Sequence, residues 1–242
     1  MSEIEIPAGS PFFSGHFPGS PILPGIVHLA LAFPGAALSE VRSLKLRRPV
    51  GPGDRLDVVA AVPGPDGVAR FEIRRGEETV SQGVVRLGGS NGEPDPGVEA
   101  PPASAVPPPE TLIPHSAPAL LVRSVSETSP QGIVCLAAIP EDHPLAEDGR
   151  VPCFLGLEAA AQAAAVLEAL ERSADEAGPR MGYLVGIRDA RLRAPHLSTG
   201  RTFRVTARLH GSAPPLSMYQ VTLEGASGEL LAGTISTYIA AG

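Results

Sequence analysis

A proline-rich segment divides this chain into two parts and so limits what it can fold into. Residues 91–110 contain seven prolines and four acidic residues, with few apolar side chains that could anchor a core. Such a composition is typical of a semi-extended linker. It predicts one domain over residues 1–90, a linker over 91–110 and a second domain over 111–242. Each part is long enough for a small globular domain.

The two parts share one order of elements, which indicates an internal duplication. In each, a loop leads into an apolar helical segment, followed by a strand ending at a proline, a turn and alternating strands. The helical segments begin after Pro24 and Pro152, and the strands behind them end at Pro49 and Pro195. Apolar residues alternate with polar ones in residues 202–208, as in half-buried antiparallel strands. The pattern predicts one α+β unit, present twice.

Composition excludes several classes of protein. With 43% apolar residues the chain has enough apolar surface to fold, and a net charge of −7 argues against general nucleic-acid binding. Two cysteines are too few for a disulfide scaffold. No signal peptide and no apolar run long enough to span a bilayer is visible, so we expect a cytoplasmic protein without membrane contact. No metal-ligand spacing, phosphate loop or dinucleotide fingerprint is found, so neither a metal nor a cofactor is expected.

A long motif in the first part carries a family resemblance. Residues 12–26 read FFSGHFPGSPILPGI, and residues 47–54 read RRPVGPGD. The first segment closely resembles the FxGHFPxxPxxPG signature of the 3-hydroxyacyl-carrier-protein dehydratases of the FabA/FabZ type. The second resembles the strand and turn that follow the helix in that family. Those proteins have the hotdog fold, an antiparallel sheet wrapped around a long helix.

The second part resembles the same superfamily through other residues. Residues 112–122 are similar to the family's opening segment, which the first part lacks, and residues 152–162 to the helix that carries its catalytic acid. Residues 142–145 read DHPL where GHFPG would stand, a variant that resembles the divergent dehydratase-like subunits of aryl-polyene pathways. The resemblance implies an α+β chain of two tandem hotdog domains, packed as a pseudo-dimer.

The resemblance also implies an activity and a substrate. Members of the family remove water from 3-hydroxyacyl thioesters carried on the phosphopantetheine of an acyl carrier protein, or on coenzyme A. A histidine and a carboxylic acid from opposite subunits move the protons, and the acid lies six residues after the proline that opens the helix. In the first part this acid position is Ala30, and in the second part it is Glu158.

Each part therefore supplies one member of the catalytic pair. His16 with Glu158 makes one complete site between the domains, with His16 as base and Glu158 as acid. His143 with Ala30 would make a second, degenerate site that lacks its acid.

Neighbouring residues complete the predicted site. Gln162 is four residues after Glu158 and hence on the same helical face, close enough to orient the carboxyl group. The backbone N–H of Gly25, next to Pro24 at the start of the first helix, is a candidate donor to the substrate carbonyl oxygen. Cys153 occupies the corresponding place in the second part and is the alternative donor.

The other polar residues receive local interpretations. His28, about 200° around the helix from Ala30, is expected to face away from the site. His115 follows a proline and is expected to form a local hydrogen bond. Four basic residues lie close together in the sequence: Arg42, Lys45, Arg47 and Arg48. They could bind an acidic carrier protein, although a solvated strand face explains them equally well.

Two other functions stay open at this stage. A hotdog thioesterase would use Glu158 to activate water, and a non-catalytic hotdog protein would only bind acyl chains or form a subunit interface. Fatty-acid, polyketide and aryl-polyene dehydratases share this chemistry, so acyl length and pathway cannot be read from the sequence. A fused pair can work as one chain, and association of two such chains edge to edge is the alternative.

Overall fold

A computed structural model of the chain describes residues 2–88, 95–99, 106–171 and 181–239. The described residues form two α-helices, α1 (Val27–Ala32) and α2 (Gly156–Glu171). They also form thirteen strands, in chain order β1 (Ser2–Glu5), β2 (Leu38–Leu46), β3 (Arg55–Ala60), β4 (Val68–Arg75), β5 (Glu78–Leu87), β6 (Val122–Ser129), β7 (Gly132–Ala138), β8 (Arg150–Pro152), β9 (Gly182–Leu192), β10 (His196–Ser198), β11 (Thr202–Ala213), β12 (Leu216–Gly225) and β13 (Gly228–Ile239).

Eleven of these strands form one continuous antiparallel sheet. Their order is β1-β3-β4-β5-β2-β9-β13-β12-β11-β7-β6, and the short strands β8 and β10 pair with each other separately. The two parts of the chain meet at the centre, where β2 pairs with β9 from Glu40 opposite Arg191 to Lys45 opposite Gly186. The sheet therefore passes without interruption from one part to the other.

The strand order repeats on both sides of this central pair. Reading outward, the first part contributes β2-β5-β4-β3 and the second contributes β9-β13-β12-β11. In β11 the alternating residues Phe203, Val205 and Ala207 are buried, as the sequence pattern predicts. The structure confirms the predicted fold class, two hotdog units side by side in a pseudo-dimer.

The two helices differ in length. Helix α2 has sixteen residues and packs against strands of the second unit. Helix α1 has only six residues, shorter than the long helix expected in each unit. Pro34 disfavours helical geometry at the residue before it, and Gly35 has a φ of +66°, so the chain turns away after Phe33.

One helical stretch in the described residues is long and apolar enough to cross a membrane, Cys153–Glu171, and 72% of it is buried inside the protein. It includes α2, with Ala159, Ala163 and Val166 fully enclosed. These small residues allow the curved sheet to approach the helix closely.

The predicted linker is only partly described, because residues 91–94 and 100–105 lie outside the described residues. The described part is attached to the second unit through Asp95. Its buried carboxylate accepts hydrogen bonds from the backbone N–H groups of Gly97, Ala226 and Ser227 and from the Ser227 hydroxyl. These bonds lower the pKa of Asp95 although burial alone would raise it. A segment expected to lack an anchor therefore has one.

Candidate active site

His16 lies in the loop between a 3₁₀ turn at Pro11–Phe13 and helix α1. Its ring is buried, and Nδ1 lies 2.8 Å from the carbonyl oxygen of Ile22. Because a carbonyl can only accept, Nδ1 carries the proton of the neutral ring and Nε2 is left with a free lone pair. Burial is the main cause that lowers the pKa of His16, opposed by the charge of Glu158 and the bond to Ile22. The ring is thus a neutral proton acceptor.

A close contact between two loops brings His16 next to the second unit. The N–H of Ser116 donates to the carbonyl of Gly15 at 2.9 Å, and His16 pairs with His115 in an isolated antiparallel bridge. Gly15 has a φ of +75°, and a Cβ there would collide with the backbone oxygen of Ser116. Gly15, the first glycine of the GHFPG motif, is therefore required both by its backbone conformation and by the close approach of residues 115–117.

Phe17 packs the aromatic groups of this contact together. Its ring centroid lies 4.4 Å from that of His16, 4.9 Å from that of His115 and 5.8 Å from that of Tyr183. Its φ is +56°, an unfavourable conformation for a residue with a side chain. Such strain is retained where surrounding contacts fix the backbone, and it is common at functional sites.

Glu158 lies in the first turn of α2 with only 7% of its surface exposed. Gln162, one turn later, donates its Nε2–H to Glu158 Oε1 at 3.3 Å. The same amide donates to the carbonyl of Ala119 at 2.9 Å, and its Oε1 accepts the N–H of Leu121 at 2.8 Å. The amide is therefore held on both sides and fixes one oxygen of the carboxyl group.

The structure brings His16, Glu158 and His115 together. One nitrogen of each ring and one carboxylate oxygen all lie within 4.8 Å of one another, and all three residues are buried. His115 Nε2 is 3.8 Å from Glu158 Oε1. The sequence interpretation placed His16 and Glu158 in one site but gave His115 only a local role.

These groups line a cavity of about 500 Å³ between the two units. One wall is a stripe along α2 at Glu158, Ala161, Ala165 and Glu168, which are three or four residues apart. The opposite wall comes from the first unit, with Gly25 and the end of β2, and further lining comes from the start of β9 at residues 182–185. The cavity is mostly apolar, and His16, His115 and Glu158 lie at the N-terminal end of α2.

The same three groups are the set among the described residues that could hold a metal ion. Zinc ligands lie about 2.0–2.2 Å from the ion, so tetrahedral ligand atoms are roughly 3.4 Å apart. The 3.8 Å between His115 Nε2 and Glu158 Oε1 is wider than that. As they stand, the three groups have the spacing of a proton-transfer site more than that of a closed zinc site.

Gly25 and Cys153, the two candidate donors to the substrate carbonyl oxygen, have different surroundings. Gly25 lines the cavity, and a Cβ there would collide with Leu46. Its N–H has no acceptor among the described residues. In contrast, the N–H of Cys153 donates to the carbonyl of Pro195 at 3.0 Å, and Cys153 is not among the residues that line the cavity. Cys153 is therefore removed from the candidate donors. Burial raises the pKa of its thiol to about 12, and Pro24 lines a separate small pocket.

The degenerate site is not assembled as expected. His143 lines that small pocket, which also touches His16 and Glu158, and Ala30 lines none of the described pockets. The N–H of Leu145 donates to His143 Nδ1 at 3.1 Å, so the ring is folded onto its own loop. Burial lowers the pKa of His143 to about 4. His143 and Ala30 therefore share none of these three cavities.

His28 does line the main cavity, contrary to the expectation that it faces away. Its Nδ1 lies 2.8 Å from the Ser81 hydroxyl on β5, and both side chains are buried. Burial lowers the pKa of His28 to about 4, so the ring is neutral at neutral pH. The prediction was wrong because it assumed that the cavity lies on the Ala30 face of α1. Ala30 does not line the cavity, whereas His28, about 200° around the helix, does.

Comparison with known families agrees with this two-unit arrangement. A family model described as ApeP dehydratase matches residues 107–241, and one described as ApeI dehydratase matches residues 1–84. Curated relatives include the 3-hydroxyacyl-[acyl-carrier-protein] dehydratase FabZ of Geobacter metallireducens, 41% identical over 71 residues, which are 22% of this chain and 47% of that protein. FabZ of Anaeromyxobacter sp. (strain Fw109-5) is 39% identical over 67 residues, 20% of this chain and 42% of that protein. The chain thus spans less than half the length of these relatives.

Solved structures show a similar fold. The dehydratase domain of PpsC from Mycobacterium tuberculosis has a TM-score of 0.65 at 17% identity, covering 98% of this chain and 92% of that one. The dehydratase heterocomplex ApeI:P from Xenorhabdus doucetiae has a TM-score of 0.52 at 23% identity, covering 56% of this chain and 93% of that one. At these identities the likeness concerns the fold.

Proposed function

Because this chain belongs to the ApeP-like dehydratase family over residues 107–241 and matches the ApeI-like dehydratases over residues 1–84, we propose that it converts a 3-hydroxyacyl thioester into the trans-2-enoyl thioester and water. The observation that carries the proposal is the meeting of His16 from one unit with Glu158 from the other in a buried cavity. Neither unit supplies both groups, so the site belongs to the whole chain.

His16 acts as the base in this proposal. Its Nε2 lone pair takes the proton from C2 of the acyl chain, and the C–H electron pair becomes the C2=C3 double bond. The Nδ1–H bond to the carbonyl of Ile22 holds the ring in the tautomer that this step requires. The lowered pKa of His16 keeps the ring unprotonated and ready to accept.

Glu158 acts as the acid. As the C3–O bond breaks, its carboxyl proton moves to the departing oxygen, which leaves as water. The products are the enoyl thioester, a protonated His16 and an ionised Glu158. Return of the proton from His16 to Glu158 restores the starting state, so no other reactant is consumed.

The substrate carbonyl needs a donor while the C2 proton is leaving, because its oxygen gains negative charge. The N–H of Gly25 is the proposed donor, since it lies at the cavity wall without another acceptor among the described residues. A Cβ at position 25 would meet the end of the Leu46 side chain, so glycine leaves this part of the wall uncrowded.

The acyl chain is proposed to lie in the channel along α2. Ala161 and Ala165 have small apolar side chains, which leave space along this wall of the cavity. The cavity volume of about 500 Å³ is in the range of small-molecule sites. Burying apolar chain contributes roughly 0.8 kcal/mol per methylene. The cavity therefore favours an acyl substrate over a small polar one.

The thioester is proposed to arrive on an acyl carrier protein, with acyl-coenzyme A as the alternative carrier. Arg47 and Arg48 line the cavity and are exposed, and Arg47 forms no ion pair within the described part of the chain. An exposed guanidinium at the cavity suits a phosphate or an acidic carrier surface. The matched FabZ proteins are named for carrier-protein substrates, and PpsC is described in complex with C12:1-CoA. A cytoplasmic location and a role in fatty-acid, polyketide or aryl-polyene synthesis belong to the same proposal.

Mass spectrometry of a 3-hydroxyacyl carrier protein after incubation with the protein tests the proposal. Loss of one water from the loaded carrier is the expected result. Release of the free acid would indicate a thioesterase, and an unchanged carrier would indicate a non-catalytic protein. Either of these two outcomes would overturn the proposed activity.

A further inference from the structure

The proposed reaction gives no role to His115, a buried polar residue beside the proposed catalytic pair. His115 lies between the 3₁₀ turn at Pro109–Thr111 and strand β6, with 8% of its surface exposed. It lines the cavity, and its ring packs edge-on against that of His16 at a centroid distance of 5.2 Å. A polar ring enclosed at this depth has lost its water, so its partners must come from the site itself.

The nearest charged partner of His115 is the proposed acid. Its Nε2 lies 3.8 Å from Oε1 of Glu158, the same oxygen to which Gln162 donates at 3.3 Å. The separation is longer than a hydrogen bond, as is common for catalytic contacts before substrate binds. Two nitrogen atoms therefore face one oxygen of the carboxyl group, from two different elements.

The other ring nitrogen of His115 is left alone. Nδ1 is buried and has no hydrogen-bond partner in the described part of the chain. Burial and the nearby His16 lower the pKa of His115 to about 3, so the ring is neutral with a single N–H at neutral pH. Placing that proton on Nδ1 would bury an unpaired donor and turn the Nε2 lone pair towards a carboxylate. Placing it on Nε2 gives the proton a partner.

We propose that His115 is a positioning residue for Glu158, with Nε2–H donating to Oε1 as the carboxyl group ionises during turnover. Gln162 and His115 then both donate hydrogen bonds to Oε1. The proton that Glu158 transfers to the substrate is therefore carried on Oε2. The inference rests on the proposed function, because it assigns Glu158 the role of acid.

Other titratable groups also lie around Glu158. His16 faces it from the loop before α1, and His143 faces it across the small pocket from the loop before β8. Further along the main cavity are His28, Arg47, Arg48, Glu168, Tyr183 and Tyr238. His115 is the one whose ring nitrogen is within 4.0 Å of a Glu158 oxygen in the described residues.

Two substitutions separate positioning from packing. His115→Phe keeps an aromatic ring against His16 and Phe17 but removes both nitrogens. His115→Gln loses the ring but keeps an N–H donor that can reach Oε1. We expect His115→Phe to lower kcat roughly tenfold to a hundredfold with little change in KM, and to move the alkaline limb of the pH–rate profile to higher pH. His115→Gln is expected to restore most of kcat, and His210→Gln, at an exposed position, to match the wild type.

The opposite ranking would overturn the proposal. A purely structural ring predicts that the Phe variant works at least as well as the Gln variant, with an unshifted pH profile. Circular dichroism and thermal melting of each variant exclude unfolding as the cause of a loss.

A second measurement needs neither activity nor a variant. Long-range ¹H–¹⁵N correlation spectra of the ¹⁵N-histidine-labelled protein at neutral pH report which ring nitrogen of His115 carries the proton. The Nε2–H tautomer supports the proposal, and the Nδ1–H tautomer overturns it. If the wild type showed no dehydration, the proposed function would fail, whereas the tautomer would still report on the contact with Glu158.

Discussion

Gln162 is the residue on which the geometry of the proposed acid most depends. Its side chain accepts the N–H groups of Leu121 and Val122 and donates to the carbonyl of Ala119 and to Glu158. Gln162 itself is 1% exposed, and an unsatisfied buried donor costs about 1–3 kcal/mol. One side chain thus joins helix α2 to the chain that enters β6.

Gln162→Met tests this link, because it keeps the volume and removes the amide. Two buried N–H groups lose their acceptor, so we expect the free energy of unfolding to fall by about 2–4 kcal/mol in urea denaturation. The rate of dehydration should fall as well, since Glu158 loses its donor. Gln220→Met, at an exposed position of β12, is the matched control and should change stability by less than about 0.5 kcal/mol. Equal effects of the two substitutions would contradict the role given to Gln162.

Single residues show where reading the sequence succeeded and where it failed. Gln162 was predicted from the resemblance of residues 152–162 to the family's acid-bearing helix and from helical spacing, because Glu158 and Gln162 are one turn apart on the same helix. His115 is 99 residues from His16, and no local pattern indicates a contact across that distance. The available signal was that the family's opening segment and its GHFPG motif are intact in different halves. That division indicates an interface at which both are needed.

At the level of elements, the site depends on the contact between the loop at residues 15–17 and the loop at residues 115–117. The Ser116 to Gly15 hydrogen bond and the rings of His16, Phe17 and His115 hold the two loops together. Neither loop carries regular structure here, so a small displacement would separate His16 from Glu158. Catalysis is sensitive to such displacements because proton transfer requires hydrogen-bond distance.

Gly15→Ala and Gly19→Ala form a matched pair for this contact. Both glycines have positive φ values, +75° and +86°, so each substitution should cost about 1–2 kcal/mol of stability. Only at Gly15 would the new Cβ also collide with the backbone of Ser116, whereas nothing lies within 4 Å at Gly19. We expect kcat to fall more than about tenfold in Gly15→Ala and to stay near wild type in Gly19→Ala. Similar kcat values for the two variants would contradict the account.

Buried His28, which joins α1 to β5 through its hydrogen bond with Ser81, predicts that the free energy of unfolding depends on pH. His28 has a folded-state pKa of about 4, below its ordinary value of 6.5. The unfolded chain therefore binds the proton first as pH falls, and stability present above pH 6.5 is lost down to about pH 4. One such group contributes about 3 kcal/mol to this loss.

His28→Gln removes that group while keeping an amide that can bond to Ser81. Urea denaturation at several pH values should show a smaller fall in the free energy of unfolding between pH 6.5 and 4 than in the wild type. His16, His115 and His143 also have lowered pKa values, so part of the dependence should remain. An unchanged pH dependence would show that His28 is not protonated on unfolding in this range.

At the scale of the whole molecule, the duplication explains why one chain carries the complete site. The repeated order of elements was enough to predict two copies of one α+β unit, because strand periodicity and turn residues are local. The family resemblance of the motifs identified these units as hotdog domains. The number of complete sites could not be predicted from local sequence patterns. It depends on which loops and helices of the two units meet across the β2–β9 pair. The second, degenerate site was predicted by symmetry. In the described residues His143 and Ala30 share none of the three cavities, and the His143 ring accepts a hydrogen bond from its own loop.

The central claim is that His16 and Glu158, one from each unit, form the single working site. Intact-mass measurement of a 3-hydroxyacyl carrier protein after incubation with His16→Ala, Glu158→Gln and His143→Ala tests it most directly. General acid–base groups contribute roughly a hundredfold to ten-thousandfold in rate. We therefore expect loss of water to slow by at least about a hundredfold in the first two variants and to persist in His143→Ala. Dehydration at the wild-type rate by His16→Ala, with activity abolished in His143→Ala, would contradict the account.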